Sequence, residues 1–256
     1  MDSAMLEKLK MEISEVTKEE FESLTREDLE NMDYNFLGKI EWWLKQKAYN
    51  SESYKLHQKI TKKRSYERHK KYEMEAFMNG VPDNYKEVKL DHVKTLHPKA
   101  YDLGMEIIDV DFKKIPSVIL YGRAGRGKTY FMWSLAIELT KKYCDSGLIK
   151  FVKSKMLDDQ LLEASKDFGS PLGIINSLKG VKILMLDDLG MERSTDRVDR
   201  DYYDILDARS EWNKPVIIST NFEVKEIKET YGQRIFSRFK EYRWVKFEGD
   251  DLRGKK

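Results

Sequence analysis

From Ser117 onward, short solid runs of apolar residues alternate with longer stretches in which apolar positions recur every three or four residues. The runs predict buried strands and the periodic stretches predict helices. Val118–Tyr121 is the first strand. Tyr130–Leu139 reads as a helix, Ile149–Val152 as a second strand, and Met156–Phe168 as a helix carrying Leu157, Leu161, Leu162 and Ala164. Gly169-Ser170-Pro171 breaks that helix, and a short one follows over Leu172–Leu178. Lys182–Leu186 is apolar after its first residue, as expected of a central strand covered on both faces. A helix over Arg200–Trp212 places Tyr203, Leu206 and Ser210 along one side. Pro215–Asn221 is a further strand, Glu223–Tyr231 a helix closed by Gly232, and Trp244–Phe247 a last strand. The alternation predicts an α/β fold, a parallel sheet with helices on both faces.

The first part of the chain reads differently. Met5, Leu6, Leu9, Ile13 and Val16 share a helical face, and Thr17-x-x-Glu20 and Thr25-x-x-Asp28 are helix-start patterns, with Phe21, Leu24, Leu29 and Met32 as apolar positions. This opening is acidic. From Tyr34 to Tyr72 the chain is basic and aromatic: Phe36, Ile40 and Trp43 lie on one face with Leu37 and Leu44, and Trp42 lies off it. Thr61–Tyr72 has no apolar face. Its basic and tyrosine side chains suit a nucleic-acid backbone with stacked bases, a protein partner, or a plain solvated helix. The turn Asn79-Gly80-Val81-Pro82-Asp83 predicts a boundary between a helical N-terminal region, 1–80, and a second domain, 81–256.

Composition narrows the class only slightly. The net charge of +2 hides segregated charge blocks, so it does not select a partner. The single cysteine, Cys144, excludes an internal disulfide and a cysteine-based zinc site. His92 and His97 have no neighbours at ligand spacing and read as ordinary surface or core residues. No apolar run approaches a membrane span, and no signal-peptide pattern opens the chain, so a cytoplasmic protein is expected.

The chemistry sits in Gly122-Arg123-Ala124-Gly125-Arg126-Gly127-Lys128-Thr129, a full G-x-x-x-x-G-K-[ST] match between a predicted strand and a predicted helix. Glycines let the backbone bend so that its N–H groups face an anion, and the helix N-terminus adds positive potential. Lys128 is expected on the β- and γ-phosphates of ATP, Thr129 on Mg2+, and the loop from Gly122 to Tyr130 around the phosphates. The central strand ends in Asp187-Asp188, the second half of such a site: Asp187 is assigned to the Mg2+ shell and Asp188 to water activation, with Glu192 a weaker candidate base. Asn221 ends the next strand, where an amide could position the attacking water or sense the γ-phosphate. Arg234 and Arg238 stand i,i+4 on one helix face beside Ile235, Phe236 and Phe239, suited to reach a phosphate across a subunit boundary. After Arg238 too little chain follows for a helical lid domain.

GRAGRGKT, LMLDDLG, VIISTN and YGQRIFSRF, with the approach NGVPDNY and the ending KFEGDDLRGKK, resemble the AAA+ ATPases. Within these the chain is similar to the DnaC-type helicase loaders and IstB-type transposition ATPases over residues 80–256. The resemblance implies a five-stranded parallel core, ATP bound at a subunit interface, ATP-dependent homo-oligomers, and placement of a replicative helicase on single-stranded DNA. It makes Asn221 the sensor and Arg238 the arginine finger, with Arg234 close by. Asp-Asp stands where many relatives have Asp-Glu, which would slow hydrolysis; Arg123 stands where proline is common; and the zinc-binding cysteines of some loaders are missing. Two rival functions fit the same core: a transposition regulator acting on duplex DNA, and a nucleotide-gated adaptor with negligible turnover.

Overall fold

The computed structural model describes residues 51–166, 170–191 and 196–253. The expected helical faces before Ser51, the Trp42–Trp43 pair and Glu192 lie outside the described residues. The chain divides into two compact units between Glu73 and Met74. In the first, residues 51–73 are helical, part of α1 (Ser51–Asn79), and Tyr66 and Tyr72 are exposed along the basic stretch.

The second unit opens with α2 (Asp91–Leu96) and α3 (Pro98–Asp109), the latter starting on Pro98, whose missing N–H costs nothing in a first turn. The α/β alternation follows: β1 (Val118–Tyr121), α4 (Lys128–Tyr143), β2 (Ile149–Lys153), α5 (Ser154–Ala164), α6 (Leu172–Gly180), β3 (Ile183–Leu189), α7 (Asp196–Glu211), β4 (Val216–Thr220), α8 (Val224–Phe239) and β5 (Arg243–Lys246). The five strands form one sheet in the order β2-β3-β4-β1-β5, and every pairing is parallel.

Alternation along each strand sends side chains to two cores. Val118, Leu120, Ile183, Met185 and Ile217 meet Leu103 and Ile107 of α3 and Phe131, Leu135 and Leu139 of α4 on one face. Ile119, Leu184, Leu186, Val216 and Ile218 meet Leu161, Leu178, Tyr202, Leu206, Ile235 and Phe239 on the other. Strands buried on both faces explain why the sequence shows them as solid apolar runs.

Two boundaries differ from expectation. Helix α5 ends at Ala164, four residues early, where the Ser165 hydroxyl donates to the Leu161 carbonyl at 2.6 Å and competes with the helical ladder. Strand β3 continues through both aspartates to Leu189, because pairing with β4 resumes after a register shift between Leu186 and Leu189. The break expected at Gly232 is present within α8: its φ of 69° and ψ of 179° are not helical. Among the described residues, β5 is followed only by the non-regular segment 247–253.

Candidate nucleotide site

The loop joining β1 to α4 needs glycine for two reasons at once. Gly122 and Gly125 have φ of 125° and 78°, in the left-handed region. A Cβ on Gly122 would also lie 2.4 Å from the Phe247 carbonyl oxygen, and one on Gly125 would lie 2.0 Å from Oδ1 of Asp251. The loop is therefore packed against the segment after β5, while it opens α4 with the unpaired N–H groups of a helix start.

Lys128 begins α4 and is 5% exposed. Its Nζ donates to the carbonyls of Gly122 at 2.5 Å and Arg123 at 2.9 Å, and to Oδ1 of Asn221 at 2.9 Å. Among the described residues no carboxylate forms an ion pair with it. Burial pushes the ammonium down to about 8, against the upward pull of Asp188 and Asp187. Nη1 of Arg126, on the same loop, is buried without a hydrogen-bond partner. A buried cation held only by neutral oxygens, beside an orphaned guanidinium nitrogen, calls for an anion.

The Thr129 hydroxyl donates to the Asp187 carboxylate, 2.9 Å from Oδ1 and 3.2 Å from Oδ2. Asp187 is fully buried and also accepts from the Ser219 hydroxyl at 2.5 Å. Burial raises its carboxyl above the ordinary value, partly countered by these donors. One hydroxyl and one carboxylate side by side suit a hard cation that takes its other oxygens from phosphate and water, the usual Mg2+ arrangement. Among the described residues no cluster of three or more acidic, histidine or cysteine side chains forms a complete protein cage.

Asp188 is held by its backbone. Its φ is 56°, its N–H donates to Ser219 Oγ at 2.9 Å, and its carbonyl accepts from Ser154 Oγ at 2.6 Å. Ser219 thus bridges both aspartates, accepting from one and donating to the other. This left-handed step at the register shift lets consecutive residues take different tasks: the Asp187 side chain is buried against Thr129, and Asp188 lines the cavity.

That cavity, about 610 Å³, lies outside the C-terminal ends of the strands, where open α/β sheets bind ligands. Ala124–Tyr130 form one wall, and Lys153 at the end of β2, Asp188 within β3 and Asn221 just after β4 lie at its floor. Tyr85, His92, Val93, Leu96 and His97 add a mixed apolar and aromatic side. Gly122 and Arg123 do not line it; they border a smaller neighbouring cavity and give Lys128 only their carbonyls.

Both histidines border the cavity. His97 Nε2 lies 2.7 Å from the Arg126 carbonyl, so that nitrogen carries the proton, and its ring packs 4.4 Å from Phe247. Burial holds its pKa below the ordinary value. His92 Nδ1 lies 2.8 Å from the Tyr130 hydroxyl, which accepts from the Lys89 N–H.

Arg234 and Arg238 are not part of the cavity wall. Arg234 is exposed. Arg238 forms an ion pair with Asp207, lies 3.4 Å from the Tyr203 hydroxyl, and stacks over that ring at 5.9 Å.

The profile of the bacterial DnaA ATPase domain matches residues 69–243, which span the loop, both aspartates, Asn221 and both arginines. The chain belongs to this family of ATPase domains. The replicative helicase loader DnaI of Bacillus subtilis is 35% identical over 123 residues, 45% of this chain and 37% of that protein. The chain spans about a third of the length of the curated relatives it matches. The DnaI crystal structure has a TM-score of 0.56 at 24% identity, covering 68% of this chain and 95% of that one. AMPPCP-bound DnaA from Aquifex aeolicus has a TM-score of 0.58 at 21% identity, covering 68% and 53%. The five-stranded sheet with flanking helices is thus the fold of DnaI and DnaA, the AAA+ fold.

Within this DnaA-type domain, sequence reasoning missed Ser219 and Ser154, which orient the aspartates, and Lys153, Leu252 and Arg253, which line the cavity. Ser219 lies inside VIISTN, a usable signal, whereas Ser154 opens α5 with none. The motif KFEGDDLRGKK contains Leu252 and Arg253, and it was a usable signal for the last two.

Proposed function

We propose that this chain binds and hydrolyses ATP and, during DNA replication, places a ring-shaped replicative helicase on single-stranded DNA. The buried Lys128, a cation whose three contacts are all neutral oxygens, carries the nucleotide part of the reading. The 35% identity to a replicative helicase loader supports the rest. Lys128 contacts the β- and γ-phosphates. Thr129 and Asp187 hold Mg2+, which neutralises phosphate charge when bound. Asp188 accepts the proton of the attacking water, and Asn221 orients that water. Arg238, with Arg234 beside it, serves the γ-phosphate of a neighbouring protomer in an ATP-dependent homo-oligomer. Residues 1–80 hold the helicase or DNA, residues 81–256 form the ATPase domain, and the protein works in the cytoplasm. No described helix is long and apolar enough to cross a membrane.

The test is ATP turnover by the purified chain, titrated with single-stranded and with duplex DNA. Stimulation by single strands is expected. Stimulation by duplex alone would overturn the loader reading, and ATP binding with no phosphate release under either condition would overturn the hydrolytic one.

A further inference from the structure

Strand β3 runs out of ladder partners at Asp188. On one side, pairing with β2 ends at Lys153 and Asp187. On the other, pairing with β4 runs to Leu186 and Ile218 and resumes at Leu189 and Thr220, so Asp187 and Asp188 together stand opposite Ser219. Two residues against one make a β-bulge, which bends a strand and re-aims a side chain. The two cores show the same step. Leu184, Leu186 and then Leu189 pack on one face of the sheet, so the alternation skips a residue at Asp188.

A buried bulge leaves peptide groups that the ladder does not satisfy. Here buried hydroxyls take its place. Ser219 Oγ accepts the Asp188 N–H at 2.9 Å, Ser154 Oγ donates to the Asp188 carbonyl at 2.6 Å, and Thr220 Oγ1 donates to the Leu189 carbonyl at 2.7 Å. All three side chains are fully buried. Two of these residues are held in turn: Thr220 Oγ1 accepts the Phe222 N–H at 3.1 Å, and the Tyr202 hydroxyl of α7 donates to the Ser154 carbonyl at 3.1 Å. The exit from the bulge is also fixed, since a Cβ on Gly190, with φ of 106°, would lie 2.6 Å from the Phe222 ring.

We infer that Ser154 and Thr220 are positioning residues for hydrolysis: with Ser219 they clamp the bulge, so that Asp188 keeps its left-handed backbone and presents its carboxylate to the cavity. The inference rests on the reading of Asp188 as the group that takes the proton of the attacking water. On an extended strand Asp188 would face the side of the sheet opposite Asp187, and only the left-handed step lets both serve one site. That conformation is unfavourable for residues with a side chain, least so for Asp and Asn, and here hydrogen bonds on both sides of it hold it in place. Ser154 and Thr220 do not line the cavity, so they act on the reaction through Asp188.

The experiment compares the full chain with its Thr220→Val, Thr220→Ser and Ser154→Ala variants. It reads steady-state ATP turnover with Mg2+, ATP affinity by calorimetry, and amide exchange across residues 185–191, with thermal melting as the check on folding. Thr220→Val and Ser154→Ala are expected to lower kcat about tenfold, inside the roughly 10²- to 10⁴-fold that a placed base contributes. KM and ATP affinity should stay within about twofold of the parent, and the Asp188 and Leu189 amides should exchange faster. Thr220→Ser keeps the hydroxyl and should keep most of the turnover. A kcat within about twofold of the parent in folded Thr220→Val and Ser154→Ala overturns the clamp and leaves the hydrolytic reading standing. Equal losses in Thr220→Val and Thr220→Ser overturn it too, because the hydroxyl is then not the cause. A parent chain that binds ATP and releases no phosphate overturns the hydrolytic reading, and the positioning role with it. Should Thr220→Val fail to fold, Ser154→Ala carries the same test.

Discussion

Asn221 and Lys128 are 93 positions apart and meet at 2.9 Å, the amide oxygen accepting from the ammonium. The contact ties the end of β4 to the start of α4, and under the proposed function it would couple the residue that senses phosphate to the one that binds it. Asn221→Ala removes this tie without adding charge. ATP binding is expected to stay within a few-fold of the parent, while turnover falls about 10²-fold, the usual cost of one oriented polar group at a reacting centre. Asn221→Asp is expected to act differently. A carboxylate there would neutralise the buried ammonium and repel phosphate, so binding itself should weaken. Equal binding losses in the two variants, measured by calorimetry, would contradict this account.

The depressed Lys128 ammonium predicts a pH dependence with a definite sign. Its folded value of about 8 lies below the ordinary 10.5, so without an anion the folded protein holds that proton weakly above pH 8. Phosphate beside it raises the value. ATP affinity should therefore be flat below pH 8 and fall as pH rises beyond it, with proton uptake on binding seen as a buffer-dependent heat near pH 8.5. For stability the same shift works in reverse. The buried charge opposes folding at neutral pH, and this penalty shrinks between pH 8 and the unfolded value.

Asp187 and Asp188 should separate cleanly on mutation. Burial raises the Asp187 carboxyl, so its charge is a cost to the fold at neutral pH. Asp187→Asn keeps an oxygen for Thr129 and Ser219 and removes that charge. It should raise the melting temperature in metal-free buffer by about 2–4 °C, for a gain of about 1 kcal/mol, while abolishing Mg2+-dependent turnover. Asp188→Asn should keep ATP and Mg2+ binding and lose hydrolysis. A melting temperature that falls in Asp187→Asn would show that its donors outweigh its burial.

Arg238 is engaged within its own chain by Asp207 and Tyr203. If it serves a neighbour, mixing should reveal it. Lys128→Ala and Arg238→Ala are each expected to be inactive alone, and their mixture should recover part of the turnover, because one supplies the intact arginine and the other the intact loop. No recovery across protein concentrations would remove Arg238 from that role.

Arg209 looks similar in sequence and differs entirely in the fold. It is fully buried, and its guanidinium donates to the carbonyls of Leu178, Lys179, Val181, Lys182 and Pro215, joining the end of α6 to the starts of β3 and β4. Removing it leaves buried carbonyls without donors. Arg209→Met should destabilise the domain by about 3 kcal/mol or more, read by denaturant unfolding, with no selective effect on ATP binding in the folded fraction.

The strands, and the meeting of Lys128, Thr129 and the two aspartates, were legible because each follows a local rule. Val118–Tyr121 and Ile183–Leu186 are solid apolar runs, and Lys128, Thr129 and the two aspartates sit at fixed places in a motif. What was not legible depends on chain segments that meet only in three dimensions. Nothing near His97 in sequence says that its ring will lie on Phe247 or that Nε2 will hold the Arg126 carbonyl. Arg209 resembles any helical surface arginine until five carbonyls converge on it. The aspartates were expected to end β3, whereas the strand runs through them to Leu189, because pairing on β4 resumes past a break that no propensity marks.

The position of β1 in the sheet has a consequence for how the protein is made. Its neighbours are β4 and β5, both synthesised roughly a hundred residues later. Phe247 and Asp251, which pack against Gly122 and Gly125, come later still. A nascent chain that has just extruded the glycine loop holds its motif without a site. Only when translation has passed Arg253 can the loop close on its supports. Nucleotide binding would then mark a finished domain, and chains stalled midway would not draw on the cell's ATP.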